Sequence, residues 1–136
     1  MKCIYVNDSE SPFTKLILSG RKNIETRHCA CLHDMLFEHV VGIIRTGSGQ
    51  SMLVGDCRIT EELKWHDTPP LHVPTCRTCL KKDSKFRNNK VWYRLENVKE
   101  YAEPIPVKEL IVERHGYHWC EVKSLLIDIE YKEDIA

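Results

Sequence analysis

The chain lacks any apolar run near the roughly 18 residues that a membrane-crossing helix needs. It lacks a signal-peptide core too: Met1-Lys2-Cys3-Ile4-Tyr5-Val6 turns polar at Asn7-Asp8 and is too short for an h-region. No membrane partner is therefore expected. Net charge is absent, with 20 basic and 20 acidic side chains. Internal repeats and low-complexity tracts are missing, and with them repeat arrays. An even cysteine count is missing as well. Seven cysteines without a secretory signal read as thiols of a reducing cytoplasm, the expected location, rather than as a disulfide framework.

What is present fits one domain spanning 1–136, long enough to bury about two-thirds of its unfolded surface without disulfides or metals. The methionine start and the lack of a linker suit a free-standing protein. Charge is balanced but segregated. Residues 64–90 hold seven basic side chains against Asp67 and Asp83, whereas residues 96–134 hold ten acidic against five basic. A basic stretch of this kind attracts phosphates locally.

The densest signal is Gly20-Arg21-Lys22-Asn23-Ile24-Glu25-Thr26-Arg27. Before it, Phe13, Leu16 and Ile17 have the spacing of an apolar helix face, and Ser11-Pro12 supplies a start, predicting a helix over about 12–19. Gly20 stands where that helix stops, since glycine takes the left-handed C′ conformation without steric cost. An extended chain after it places Asn23, Glu25 and Arg27 on one face and Ile24 and Thr26 on the other, with Lys22 at the turn.

Lys2–Val6 reads as a first strand, 28–36 as a connection, and Phe37–Arg45 as a buried strand. Thr46–Gln50 is a glycine-bearing hairpin loop, and Ser51–Thr60 a return strand with a bulge at Gly55-Asp56. Residues 61–90 form a long polar loop, a length that marks a functional or mobile segment. Val91–Val98 alternates, with Val91, Tyr93 and Leu95 facing one way and Trp92, Arg94 and Glu96 the other. Pro104-Ile105-Pro106 breaks the chain, Val107–Arg114 reads as a short helix ended by Gly116, and Ser124–Tyr131 as a last strand before a frayed acidic tail. Five strands, one or two helices and no βαβ rhythm predict an α+β, mostly antiparallel small β-barrel.

A helix, then Gly-x-Lys-x-x-Glu-x-Arg at Gly20, Lys22, Glu25 and Arg27, then two hairpin strands, then a strand opening with Trp92, resembles the ASCH domain, a relative of the PUA RNA-binding barrel. Trp92-Tyr93-Arg94-Leu95 running on to Pro104-Ile105-Pro106 is similar to the Trp-x-Leu…Pro-Ile pattern of ASCH and EVE domains, with one extra residue between Trp92 and Leu95. The anchors span about 12–106. The resemblance implies a PUA-like barrel whose cleft, beside the first helix, is lined by the charged motif and takes RNA or a modified nucleoside. Some small members hydrolyse the acetyl amide of N4-acetylcytidine, with the motif lysine catalytic, a threonine where this chain has Glu25, and a glutamate on a later helix. This chain departs at Glu25, and Glu113 is the candidate for the later acid.

Two uses of these residues follow. For binding, Glu25 accepts from an exocyclic amine, Lys22, Arg27 and Arg94 reach phosphate or base acceptors, and Trp92 offers a stacking platform. Lys81, Lys82, Lys85 and Arg87 supply a backbone track. For amide hydrolysis, Glu25 is the base toward water and Lys22 the oxyanion stabiliser, with Glu113 as third member. The residues leave open whether the chain catalyses anything. A third reading is a protein-interaction module whose loop is clamped by zinc at His66, His72, Cys76 and Cys79, with Cys29 and Cys31, or His28 and His33, as alternative donors. Against that reading, no cofactor or metal is the default expectation, and His115 and His118 read as surface histidines flanking a turn.

Overall fold

Two long strands, β4 (Met52–Lys64) and β5 (Val91–Pro106), pair antiparallel along most of their length and form the spine of the molecule. The computed structural model describes residues 1–66, 75–124 and 128–133. Around the spine lie β1 (Lys2–Asn7), α1 (Phe13–Leu18), β2 (Ile24–Arg27), β3 (Val41–Thr46), β6 (Val112–His115) and β7 (Trp119–Val122). The seven strands make one sheet in the order β2-β5-β4-β3-β1-β7-β6. Every neighbouring pair is antiparallel except β1 with β3, whose parallel pairing requires the crossover through α1 and β2. Among the described residues no helix is long and apolar enough to cross a membrane.

Several boundaries differ from expectation. Residues His33–Phe37 form a 3-10 turn, so the strand starts at Val41, and Phe37 stands outside it. β4 runs four residues past Thr60, into what reads as loop. β5 continues through Pro104 to Pro106 because β2 covers its other side only over Val91–Arg94. Beyond that limit a proline's missing N–H removes no bond to β2. Val107–Arg114 is not a helix: Val107–Glu109 is a single 3-10 turn, and Val112–His115 pairs with the unforeseen β7 across Gly116, whose φ is +70°. Of Ser124–Tyr131, residues 125–127 lie outside the described set, while Tyr131 bridges to Tyr101.

The expected irregularity near Gly55 is present. Register slips between Leu53 and Gly55 on both sides of β4. A Cβ on Gly55 would stand 2.4 Å from the Lys99 carbonyl oxygen and 2.8 Å from Leu18, so glycine is what lets β5 and α1 close on the strand. Ile4, Val6, Phe13, Ile17, Ile43 and Tyr93 belong to the main core, beneath α1. A separate small cluster of Ile24 and Trp92, joined by Leu63 and Trp65, covers the opposite face of the β2 end.

Candidate functional site

The charged motif is laid out by the helix end. Gly20 has φ +82°, its amide donates to the Ile17 carbonyl, and the Lys22 amide donates to Leu16, so the chain reverses into β2. β2 then pairs with the start of β5 in the register Glu25 opposite Tyr93 and Thr26 opposite Trp92.

Lys22 is 1% exposed. Its Nζ donates to the carbonyl oxygens of Ile24 (2.7 Å) and Thr78 (2.5 Å) and stands 3.5 Å from Glu25 Oε1. Three acceptors match the three N–H bonds of an ammonium, and the Phe13 ring lies 5.0 Å away. Burial pulls the Lys22 pKa down from the ordinary lysine range, with the Glu25 carboxylate opposing. Glu25 Oε2 accepts from Arg27 Nη2 at 3.2 Å. The same Nη2 donates to the Tyr5 carbonyl at 2.6 Å, and Nη1 to His118 Nδ1 at 3.1 Å. A chain of charges thus runs from the buried lysine through carboxylate and guanidinium to an imidazole on the β6–β7 turn.

The loop of the basic stretch closes over this chain. Arg77 donates to the Gly20 carbonyl and to Asn23, Thr78 caps Lys22, and Arg87 donates to the carbonyls of Leu80 and Lys81. Ser84 and the Lys85 amide both donate to Glu10, and Asn89 donates to Thr26. Arg77 and Arg87 therefore bond the protein's own backbone instead of offering a track for phosphates. Lys81, Lys82 and Lys85 of the expected track are exposed, and Lys85 stands at the edge of a cleft.

That cleft has a volume of about 820 Å³. Glu25 and Arg27 form part of its wall, with Lys85, Arg114 and His118 arriving from the loop and from the β6–β7 hairpin. Among the described residues, three cationic side chains line it against the single carboxylate of Glu25. The Arg114 guanidinium lies 5.0 Å from the Tyr5 ring centroid and 6.0 Å from that of Tyr117. Tyr117 is 86% exposed and sits at the rim.

Of the sequence candidates, Lys22, Glu25 and Arg27 come together, but Lys22 lies behind the wall of the cleft, not on it. Trp92 does not join them. It shares its face of the sheet with Ile24 and Thr26, is 6% exposed, and packs edge-on against Trp65 at a centroid distance of 4.6 Å. Arg94, on the same face, is tied to Glu61 at 3.0 Å. Glu113 is also turned away. Val112 and Arg114 point into the cleft, and the strand's alternation sends Glu113 outward to His115 and Lys123. In the zinc candidate set, His66 is exposed and Cys79 Sγ contacts the Arg21 carbonyl at 3.6 Å. His72 and the side chain of Cys76 lie outside the described residues.

Tyr5, Arg114 and Tyr117 are among the cleft residues that sequence reasoning passed over, and His118 is one that it read as a surface group. The one signal for them was Gly116, which marks a tight turn; only the long-range pairing of β7 with β1 carries that turn to the motif. His118, taken for a surface histidine, is half-buried. Its burial lowers its pKa from the ordinary histidine value, with Arg27 and His28 acting in the same direction. His118 is thus expected to titrate below about 6.5, as followed by proton shifts of its ring in an NMR titration. The folded chain then binds fewer protons than the unfolded one just below that value, so this residue's contribution makes stability fall as pH falls through the window. A midpoint at or above the ordinary value would contradict the placement of the ring.

Among known proteins, no family model and no curated protein matches this chain.

Proposed function

We propose that this chain is an ASCH-type domain of PUA-like barrel architecture that binds RNA or a modified nucleoside in the cleft between the charged motif and the β6–β7 hairpin. The observation that carries the reading is one hollow holding Arg27, Lys85 and Arg114 against Glu25, with the exposed Tyr117 ring at its lip. Its volume lies within the range of small-ligand sites, about 300–1,000 Å³. A base stacks on Tyr117, Glu25 accepts from an exocyclic amine, and Arg114 and Lys85 meet the phosphates. Arg27, already bonded to Tyr5, Glu25 and His118, contributes its field more than a free donor.

The test is fluorescence anisotropy with labelled single-stranded RNA over a salt series, beside a nucleoside panel. The two phosphate contacts of Lys85 and Arg114 imply log Kd rising with log salt at a slope of roughly 1.4. An affinity indifferent to salt, or no binding to either probe class, refutes the reading.

A second reading, hydrolysis of an N4-acylated cytidine, draws on the place of Glu25 in the cleft wall as a base toward water. Its other members are poorly placed, since Lys22 has no N–H left to offer and Glu113 faces away. Acetate release from N4-acetylcytidine that is abolished in Glu25→Gln would establish it over binding alone.

A further inference from the structure

At the cleft, His28, Cys29 and His118 each offer one donor atom, all within 4.8 Å of one another. Neighbouring residues of a strand point to opposite faces, but β2 ends at Arg27 and residues 28–30 form a bend, which brings His28 and Cys29 to the same side. His118 meets them from the β6–β7 turn, its ring centroid 5.2 Å from that of His28. We propose that these three side chains form a site for a borderline divalent transition-metal ion of the zinc class, with a fourth coordination position open to the cleft.

The chemistry of the donors selects the metal. One thiolate and two imidazoles favour zinc, cobalt or nickel over magnesium or calcium, which prefer oxygen. Bond lengths near 2.3 Å to sulfur and 2.0–2.1 Å to nitrogen put tetrahedral donors roughly 3.3–3.7 Å apart. Small rotations of His28 and Cys29, both exposed, close the remaining gap. On His118 the Nδ1 edge faces Arg27, leaving Nε2 as the ligating atom. Ligation there moves the ring proton to Nδ1, so the Arg27–His118 hydrogen bond opens while the guanidinium stays on Tyr5 and Glu25. Three protein ligands do not fill a tetrahedron, and His28 and His118 both line the cleft, so the vacant position takes water or an oxygen of whatever the cleft holds.

The experiment is titration of the full chain, stripped with a chelator, with cobalt(II) alone, followed by the near-ultraviolet thiolate-to-cobalt charge-transfer band. One equivalent of cobalt is expected to develop the band, and zinc to bleach it. Cys29→Ser should abolish it, and His28→Ala or His118→Ala should weaken cobalt affinity at least tenfold. Cys79→Ser, which removes one of the two thiols of the basic loop, should leave it intact. Because Cys29 is exposed, its serine variant keeps the fold, which far-ultraviolet circular dichroism checks. A band that survives Cys29→Ser, disappears in Cys79→Ser instead, or never develops overturns the proposal. None of these readouts depends on RNA, so this site and the binding function fail separately.

Discussion

Lys22→Ala should unfold at markedly lower urea than the parent chain, with a loss of about 3–5 kcal/mol, the range for removing one partner of a buried ion pair. The substitution takes the buried ammonium donor from the Ile24 and Thr78 carbonyl oxygens and removes one of the two cations from Glu25. The thermal midpoint should fall on the order of 10 °C. Lys22→Met, which restores the aliphatic length but no donor, should recover packing and leave most of the deficit. Thr78 sits 56 residues from Lys22 in sequence, so the loop it belongs to should lose one of its anchors and become more sensitive to protease before the sheet does. A Lys22→Ala chain as stable as the parent, yet catalytically dead on an acylated nucleoside, would instead make the lysine a chemical group. Equilibrium unfolding and acetate release on the same preparation distinguish the two roles.

Lys22 also shows where the sequence stops being informative. The helix, its glycine stop and the gathering of Lys22, Glu25 and Arg27 are local, set by spacing within about fifteen residues, and they hold in the fold. The burial of the lysine is not local, because its acceptor arrives from a loop that looked like a solvated basic track. Trp92 makes the same point from the other side. Its alternation against Val91, Tyr93 and Leu95 is real, and those three residues enter the core. The face left to Trp92 reads as polar because it also carries Arg94 and Glu96, and β4 is expected to end at Thr60. The strand runs on to Lys64, bringing Leu63 and Trp65 over that face. A two-residue period identifies the two sides of a strand but does not say whether the second side is covered.

From this follows an inversion of the aromatic assignment that can be measured. Tyr117→Ala should weaken binding of single-stranded RNA by about 1–3 kcal/mol, the usual worth of one base-on-aromatic stack, which is roughly five- to 150-fold in Kd. It should leave the unfolding midpoint almost unchanged, because the ring is 86% exposed. Trp92→Ala should do the reverse. It opens a cavity between Ile24, Leu63 and Trp65 and should destabilise by about 3–5 kcal/mol. Once the fold is secured by lower temperature or stabilising osmolyte, its RNA affinity should stay near that of the parent. Arg114→Ala supplies the third arm. It removes a cleft cation held near both Tyr5 and Tyr117, so it should weaken binding and also lower the salt slope by about 0.7. Tyr117→Ala should leave that slope alone, since a ring releases no counterions. If affinity follows Trp92 rather than Tyr117 under conditions where both variants are folded, the ligand lies on the opposite face of the sheet and the cleft is not its site.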